Sequence, residues 1–68
     1  MPAGVFRYMH LVGTSPKSIE DAIGAAVADA AKSVKSVHWF EVIETRGKIE
    51  EGKVAEYQVG LRIGYRAE

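Results

Sequence analysis

The run Glu56-Tyr57-Gln58-Val59-Gly60-Leu61-Arg62-Ile63-Gly64-Tyr65-Arg66 alternates between apolar residues and polar or small ones. Successive side chains of a strand point to opposite sides of a sheet. Tyr57, Val59, Leu61, Ile63 and Tyr65 therefore share one face, and Glu56, Gln58, Gly60, Arg62, Gly64 and Arg66 share the other. A strand with one apolar face needs a cover, and the chain supplies one upstream. Ile19, Ala22, Ile23, Ala26, Val27, Ala30, Ala31 and Val34 recur with the 3.6-residue period of an amphipathic helix of about five turns. Lys17, Glu20, Asp21, Asp29, Lys32 and Lys35 occupy its other face, acids early and lysines late, as the helix dipole prefers.

Working outward, residues 37–50 and 53–66 read as two long strands around Glu50-Glu51-Gly52-Lys53, where Gly52 supplies the positive φ of a tight hairpin. Residues 4–13 read as a first strand that ends at Thr14-Ser15-Pro16. Ser15 is the expected helix N-cap and Pro16 the first helical residue. Two registers stay open for this strand, with either Phe6, Tyr8, His10 and Val12 or Val5, Arg7, Met9 and Leu11 facing inward; a one-residue slip exchanges them. The order β-α-β-β, with no linker or repeat, makes residues 1–68 a single α+β domain, a three-stranded antiparallel sheet with one helix on one side.

Nine Lys and Arg balance nine Asp and Glu, so neither a nucleic-acid surface nor an anionic-membrane surface is expected. The chain has no cysteine, which excludes disulfides, thiolate metal sites and cysteine nucleophiles. No apolar run approaches the ~20 residues of a membrane span, and Met-Pro-Ala-Gly-Val-Phe-Arg lacks the basic head and apolar stretch of a signal peptide, so a cytoplasmic location is expected. Ordering 68 residues costs on the order of 100 kcal/mol, and a chain this short buries only about 60% of its unfolded surface. Oligomerisation is the remaining source of stability.

The sheet face away from the helix has no partner within the chain. Alternation along the second strand turns Phe40 and Val42 toward the helix, and Trp39, Glu41, Ile43 and Thr45 away from it. The only tryptophan thus falls on the uncovered face, the usual mark of a contact with another subunit or a ligand. Gly60 and Gly64 on that face leave room for another backbone or a flat ring. His38, next to Trp39, points to the opposite face by the same alternation. His10 and His38 lack neighbouring acids at ligand spacing, so no metal site is expected. Glu41, Glu44, Glu50, Glu51 and Glu56 pair with no nucleophile and read as solvated or ion-paired charges.

Taken together, Val12-Gly13-Thr14-Ser15-Pro16-Lys17-Ser18, Trp39-Phe40-Glu41-Val42, Arg46-Gly47, Glu56-Tyr57-Gln58-Val59 and Gly64-Tyr65-Arg66 resemble the dodecin family in order and spacing over nearly the whole chain. The resemblance implies a sheet wrapped around the helix and a hollow homododecamer. It implies a protein without turnover that binds FMN, riboflavin or FAD for storage or sequestration, as flavin pairs stacked between symmetry-related tryptophans. Carried over, the stacking residue is Trp39 and the residue contacting the ring edge is Gln58. Arg46 lies near the ligand's tail, and Val37 and His38 flank the site. An indole in contact with an excited flavin donates an electron, so bound flavin is expected to lose its fluorescence. Some bacterial members also bind coenzyme A, for which Lys32, Lys35 and Arg66 are basic candidates. The competing reading is a ligand-free structural oligomer with Trp39 in a subunit contact; a flavoenzyme would need a second substrate pocket that a sandwiched ring does not leave.

Overall fold

The computed structural model describes residues 3–67. Strand β1 spans Phe6–Ser15, helix α1 Ile19–Ser33, strand β2 Val37–Glu50 and strand β3 Lys53–Arg66. The three strands form one antiparallel sheet in the order β1-β3-β2. The central strand is thus the one whose alternation is cleanest, and α1 covers one face of it. Val59, Leu61 and Ile63 of β3 are buried against Ala22, Ala26 and Ala30 of α1, and together they form the core. Met9 and Leu11 of β1 pack beside them.

The ladder between β1 and β3 runs without interruption from Phe6 opposite Arg66 to Ser15 opposite Tyr57. It settles the open register. Arg7, Met9, Leu11 and Gly13 share the helix side with Tyr65, Ile63, Leu61 and Val59; Phe6, Tyr8, His10 and Val12 share the far side with Arg66, Gly64, Arg62 and Gly60. Gly13 has a further consequence. A Cβ there would run into the Ala22 carbonyl and the Ala26 methyl, so the absence of a side chain lets α1 lie close on the sheet.

The helix begins later than the sequence suggests. Pairing with Tyr57 keeps Ser15 in the strand, and the N-cap is Ser18, whose hydroxyl accepts a hydrogen bond from the Asp21 N–H at 3.0 Å. Ser15 serves instead as a buried anchor under the first turn. Its Oγ donates to Asp21 Oδ2 at 2.7 Å and accepts from the Lys17 N–H at 2.9 Å. At the other end Val34 is the C-cap rather than a helical residue, with its N–H bonded to the Ala30 carbonyl. The helix is therefore 15 residues long, about four turns. The β2–β3 hairpin has the expected two-residue turn, and both Glu51 (φ 54°) and Gly52 (φ 75°) lie in the left-handed region. That is the primed turn geometry matching the twist of the strands it joins.

Strand β2 departs from simple alternation. Irregularities fall between Val37 and Trp39, between Val42 and Glu44, and between Lys48 and Ile49. Phe40 and Val42 face the helix side, opposite Ile63 and Leu61, as expected. Beyond the bulge at Ile43 the parity reverses. Glu44 and Arg46 stand opposite Gly60 and Gln58 on the far side, and Thr45 stands opposite Val59 on the helix side. The expectation that Thr45 faces away from the helix is therefore corrected, because an inserted residue shifts every later side chain to the other face.

The helix leans over β1 and β3 and barely reaches β2. Phe40 and Val42, on the helix side of β2, stay exposed, as do Ile49 and Val54 near the hairpin tip. The chain is long and thin, 54 × 20 × 13 Å, with a radius of gyration of 14.1 Å, against about 11 Å for a compact domain of this length. Gly13→Ala is expected to push α1 off the sheet and destabilise the fold by about 1–3 kcal/mol, read as a lower melting temperature at fixed protein concentration. An unchanged melting temperature would mean that the helix does not rest on Gly13.

Candidate functional site: an indole bed on the uncovered sheet face

Trp39 stands opposite Gly64 on the sheet face away from the helix, and its indole lies over that glycine. A Cβ at position 64 would overlap Cε2, Cζ2 and Cδ2 of the indole. The space left by Gly64 is thus taken by the chain's own tryptophan, and the space at Gly60 by the Glu44 side chain. This corrects the reading of both glycines as gaps for an incoming ring. The bed reaches across the sheet from both edges. From β1, Phe6 meets the indole at 5.1 Å between centroids with a 54° tilt, and Tyr8 meets it edge-on at 5.8 Å and 90°. Trp39 is nevertheless 40% exposed, so the indole offers surface to a partner outside the chain.

His38 is the residue inserted between Val37 and Trp39. Its ring meets Phe6 edge-on at 5.1 Å, and Phe6 belongs to the Trp39 face. The expectation that His38 points to the opposite face is overturned by the bulge. Val37 pairs with Tyr65 on the helix side and is half-buried against the core. With Val27, His38, Trp39, Phe40 and Ile63 it lines an apolar groove of about 190 Å³ between α1 and β2.

Gln58 and Arg46 stand opposite one another on the Trp39 face. Simple alternation from Trp39 sends Arg46 to the helix side; the bulge at Ile43 brings it across. Arg46 Nε donates to Gln58 Oε1 at 2.8 Å, Gln58 Nε2 donates to Glu56 Oε1 at 2.9 Å, and Arg46 Nη1 pairs with Glu44 Oε2 at 3.3 Å. The amide keeps one lone pair and one N–H for another group, and the guanidinium keeps further donors. These residues lie far from Trp39 along the sheet. Gly64 and Gln58 are six residues apart on β3, about 20 Å at the rise of an antiparallel strand. The indole and the amide of one chain thus lie toward opposite ends of the sheet face.

A second polar recess lies where the end of β3 meets the turn after α1. Arg7, Val34, Lys35, Ser36, Tyr65, Arg66 and Ala67 line about 330 Å³. Lys35 and Arg66 come together there with Arg7, which sequence reasoning missed because the register of β1 was open; Lys32 is not part of the lining. Two further ion pairs lie along the strands, Arg62 with Glu41 at 3.1 Å and Lys48 with Glu50 at 3.2 Å. Among the described residues no three His, Asp or Glu side chains converge as a metal site, and no helix is long and apolar enough to cross a membrane.

Comparison with known proteins agrees on one family. The sequence model of the family described as Dodecin matches residues 5–68. The dodecin of Thermus thermophilus is 50% identical over 64 residues, covering 94% of this chain and 93% of the relative. The solved structure of dodecin from Streptomyces coelicolor superposes with a TM-score of 0.95 at 43% identity, covering 100% of this chain and 97% of that one. A more distant relative, the calcium dodecin of Mycobacterium tuberculosis, is 29% identical over 62 residues, 91% of this chain and 87% of its own. A family match over almost the whole length, a relative at half identity and the same fold lead to one conclusion: this chain belongs to the dodecin family.

Proposed function

We propose that the protein is a flavin-binding homododecamer without turnover, which stores or sequesters FMN or riboflavin on the exposed indole of Trp39. The observation that carries this reading is the indole itself, bedded on Gly64 yet left open on a face that none of the described residues covers. The isoalloxazine ring supplies a wide, flat, electron-poor surface. Offset stacking of such a ring on indole contributes about 0.5–1.5 kcal/mol beyond the area buried. The residues present fit that ring. Trp39 provides the stacking plane, the uncommitted lone pair and N–H of Gln58 suit the mixed donors and acceptors of a pyrimidine edge, and Arg46 offers charge-assisted donors to a ribityl or phosphate tail. His38 and Val37 flank the indole at its backbone.

The spacing of about 20 Å along β3 between Gly64, beneath the indole, and Gln58 supports a divided site: one subunit stacks the ring and a neighbour meets its edge. Binding then requires assembly. The exposed Phe40 and Val42, the apolar groove beside them and the extended shape supply the surfaces on which neighbours pack. In a flavin pair stacked between symmetry-related tryptophans each ring is closed on both faces, by an indole and by the second flavin, which favours storage over redox turnover.

A second reading concerns the recess formed by Arg7, Lys35, Ser36 and Arg66. Three cations around one concavity suit the phosphates of coenzyme A. Titration calorimetry with coenzyme A is expected to show saturable heat that is lost in a Lys35→Ala/Arg66→Ala double variant and weakened by salt. No heat with the wild type would remove this reading without touching the flavin site.

For the flavin itself, adding apo-protein to FMN is expected to quench flavin emission saturably. Trp39→Ala should weaken binding by at least about tenfold while the melting temperature of the assembly moves little. Undiminished flavin emission at saturating protein, with no flavin migrating with the assembly, would leave a structural oligomer that uses Trp39 in its own contacts.

A further inference from the structure

Three residues of the chain's own sheet pack against the Trp39 indole. Gly64 lies directly beneath the indole, and any side chain there would occupy the volume of its six-membered ring. Phe6 and Tyr8 reach over from β1 on the far side of the central strand and brace the indole from two directions. Each of these rings is in turn backed by an arginine of β3. The Arg62 guanidinium sits 4.5 Å above the Tyr8 ring and is anchored to Glu41 at 3.1 Å; the Arg66 guanidinium sits 5.3 Å from the Phe6 ring. All three strands therefore contribute to fixing one side chain, with a missing Cβ in the middle and aromatic walls at the edge.

An exposed tryptophan on a bare sheet face ordinarily samples several rotamers, and ordering it on ligand binding costs entropy. Here the indole is packed against the chain's own Gly64, Phe6 and Tyr8. We propose that Gly64, Phe6 and Tyr8 are the positioning residues of the stacking site, fixing the indole plane against the sheet so that a flat ring meets it already aligned. The proposal rests on the flavin reading for its ligand, but the fixed indole is a property of the unliganded protein. Gly64 is the sharpest element, because alanine at that position removes the bed without altering charge or any ladder hydrogen bond. Tyr8 is the independent one. Its ring braces the indole from another strand, and Tyr8→Phe retains the ring where Tyr8→Leu removes it.

The test compares Gly64→Ala, Tyr8→Leu and Tyr8→Phe with the wild type in two measurements on the assembled protein. The near-ultraviolet circular dichroism of Trp39 is recorded without ligand, and FMN binding is followed by quenching of flavin emission. Size-exclusion chromatography selects assemblies of wild-type mass. Expected are a loss of the tryptophan dichroism band and about a tenfold loss of FMN affinity in Gly64→Ala and Tyr8→Leu, with Tyr8→Phe near wild type in both. Wild-type dichroism and wild-type affinity in Tyr8→Leu and in any assembled Gly64→Ala would overturn the proposal. If the wild type does not bind FMN, the flavin reading fails, and the dichroism comparison still decides whether these residues fix the indole.

Discussion

A helix that covers two strands of a three-stranded sheet is the constraint on which the rest of this protein depends. Its buried stripe is Ala22, Ala26 and Ala30, and Gly13 lets it sit close. Small residues bring helix and sheet together but bury little area per residue, and burial stabilises in proportion to apolar area. Several larger apolar side chains, Phe6, Tyr8, Trp39, Phe40 and Val42, stay exposed on the two faces of the sheet. So much exposed apolar surface on a chain of this size favours burial against neighbouring copies. The same shortage of cover leaves the Trp39 indole open.

The bulges of β2 convert this fold into a site. With strict alternation, Trp39 and Arg46 would lie on opposite faces. One inserted residue at Ile43 brings Glu44 and Arg46 to the tryptophan face, where Gln58 already stands by the alternation of β3. Another at His38 swings that side chain against Phe6. Bulges tighten local twist and re-aim side chains, and here they gather the aromatic group at one end of the face and the polar group at the other. The intervening length of β3 exceeds any single ring. The proposed division of the ligand between subunits rests on that separation.

Much of the fold was legible in the sequence, for identifiable reasons. The alternation of Tyr57 through Tyr65 and the 3.6-residue recurrence from Ile19 to Ala30 each arise from burial on one side, so periodicity reports them directly. The hairpin turn was marked by Gly52. The start of the helix was less legible, because Ser15 and Ser18 both carry a capping hydroxyl and only pairing with Tyr57 excludes the first. The register of β1 was hidden because apolar residues occupy both of its faces. The bulges left no trace, since Ile43 and His38 are ordinary strand residues. In the site, Trp39 stood out by type and face. Phe6, Tyr8 and Arg7 were missed through the open register, and the bedding of the indole on Gly64 became apparent only once the strands were paired.

The claim that one flavin is held by two chains is tested most directly by a crystal structure of the assembled protein grown with FMN. The account predicts that each isoalloxazine ring stacks on Trp39 of one subunit, still seated on its own Gly64, while its pyrimidine edge meets Gln58 of a different subunit. A ring contacted by groups of a single chain, or lying away from Trp39 altogether, would contradict it.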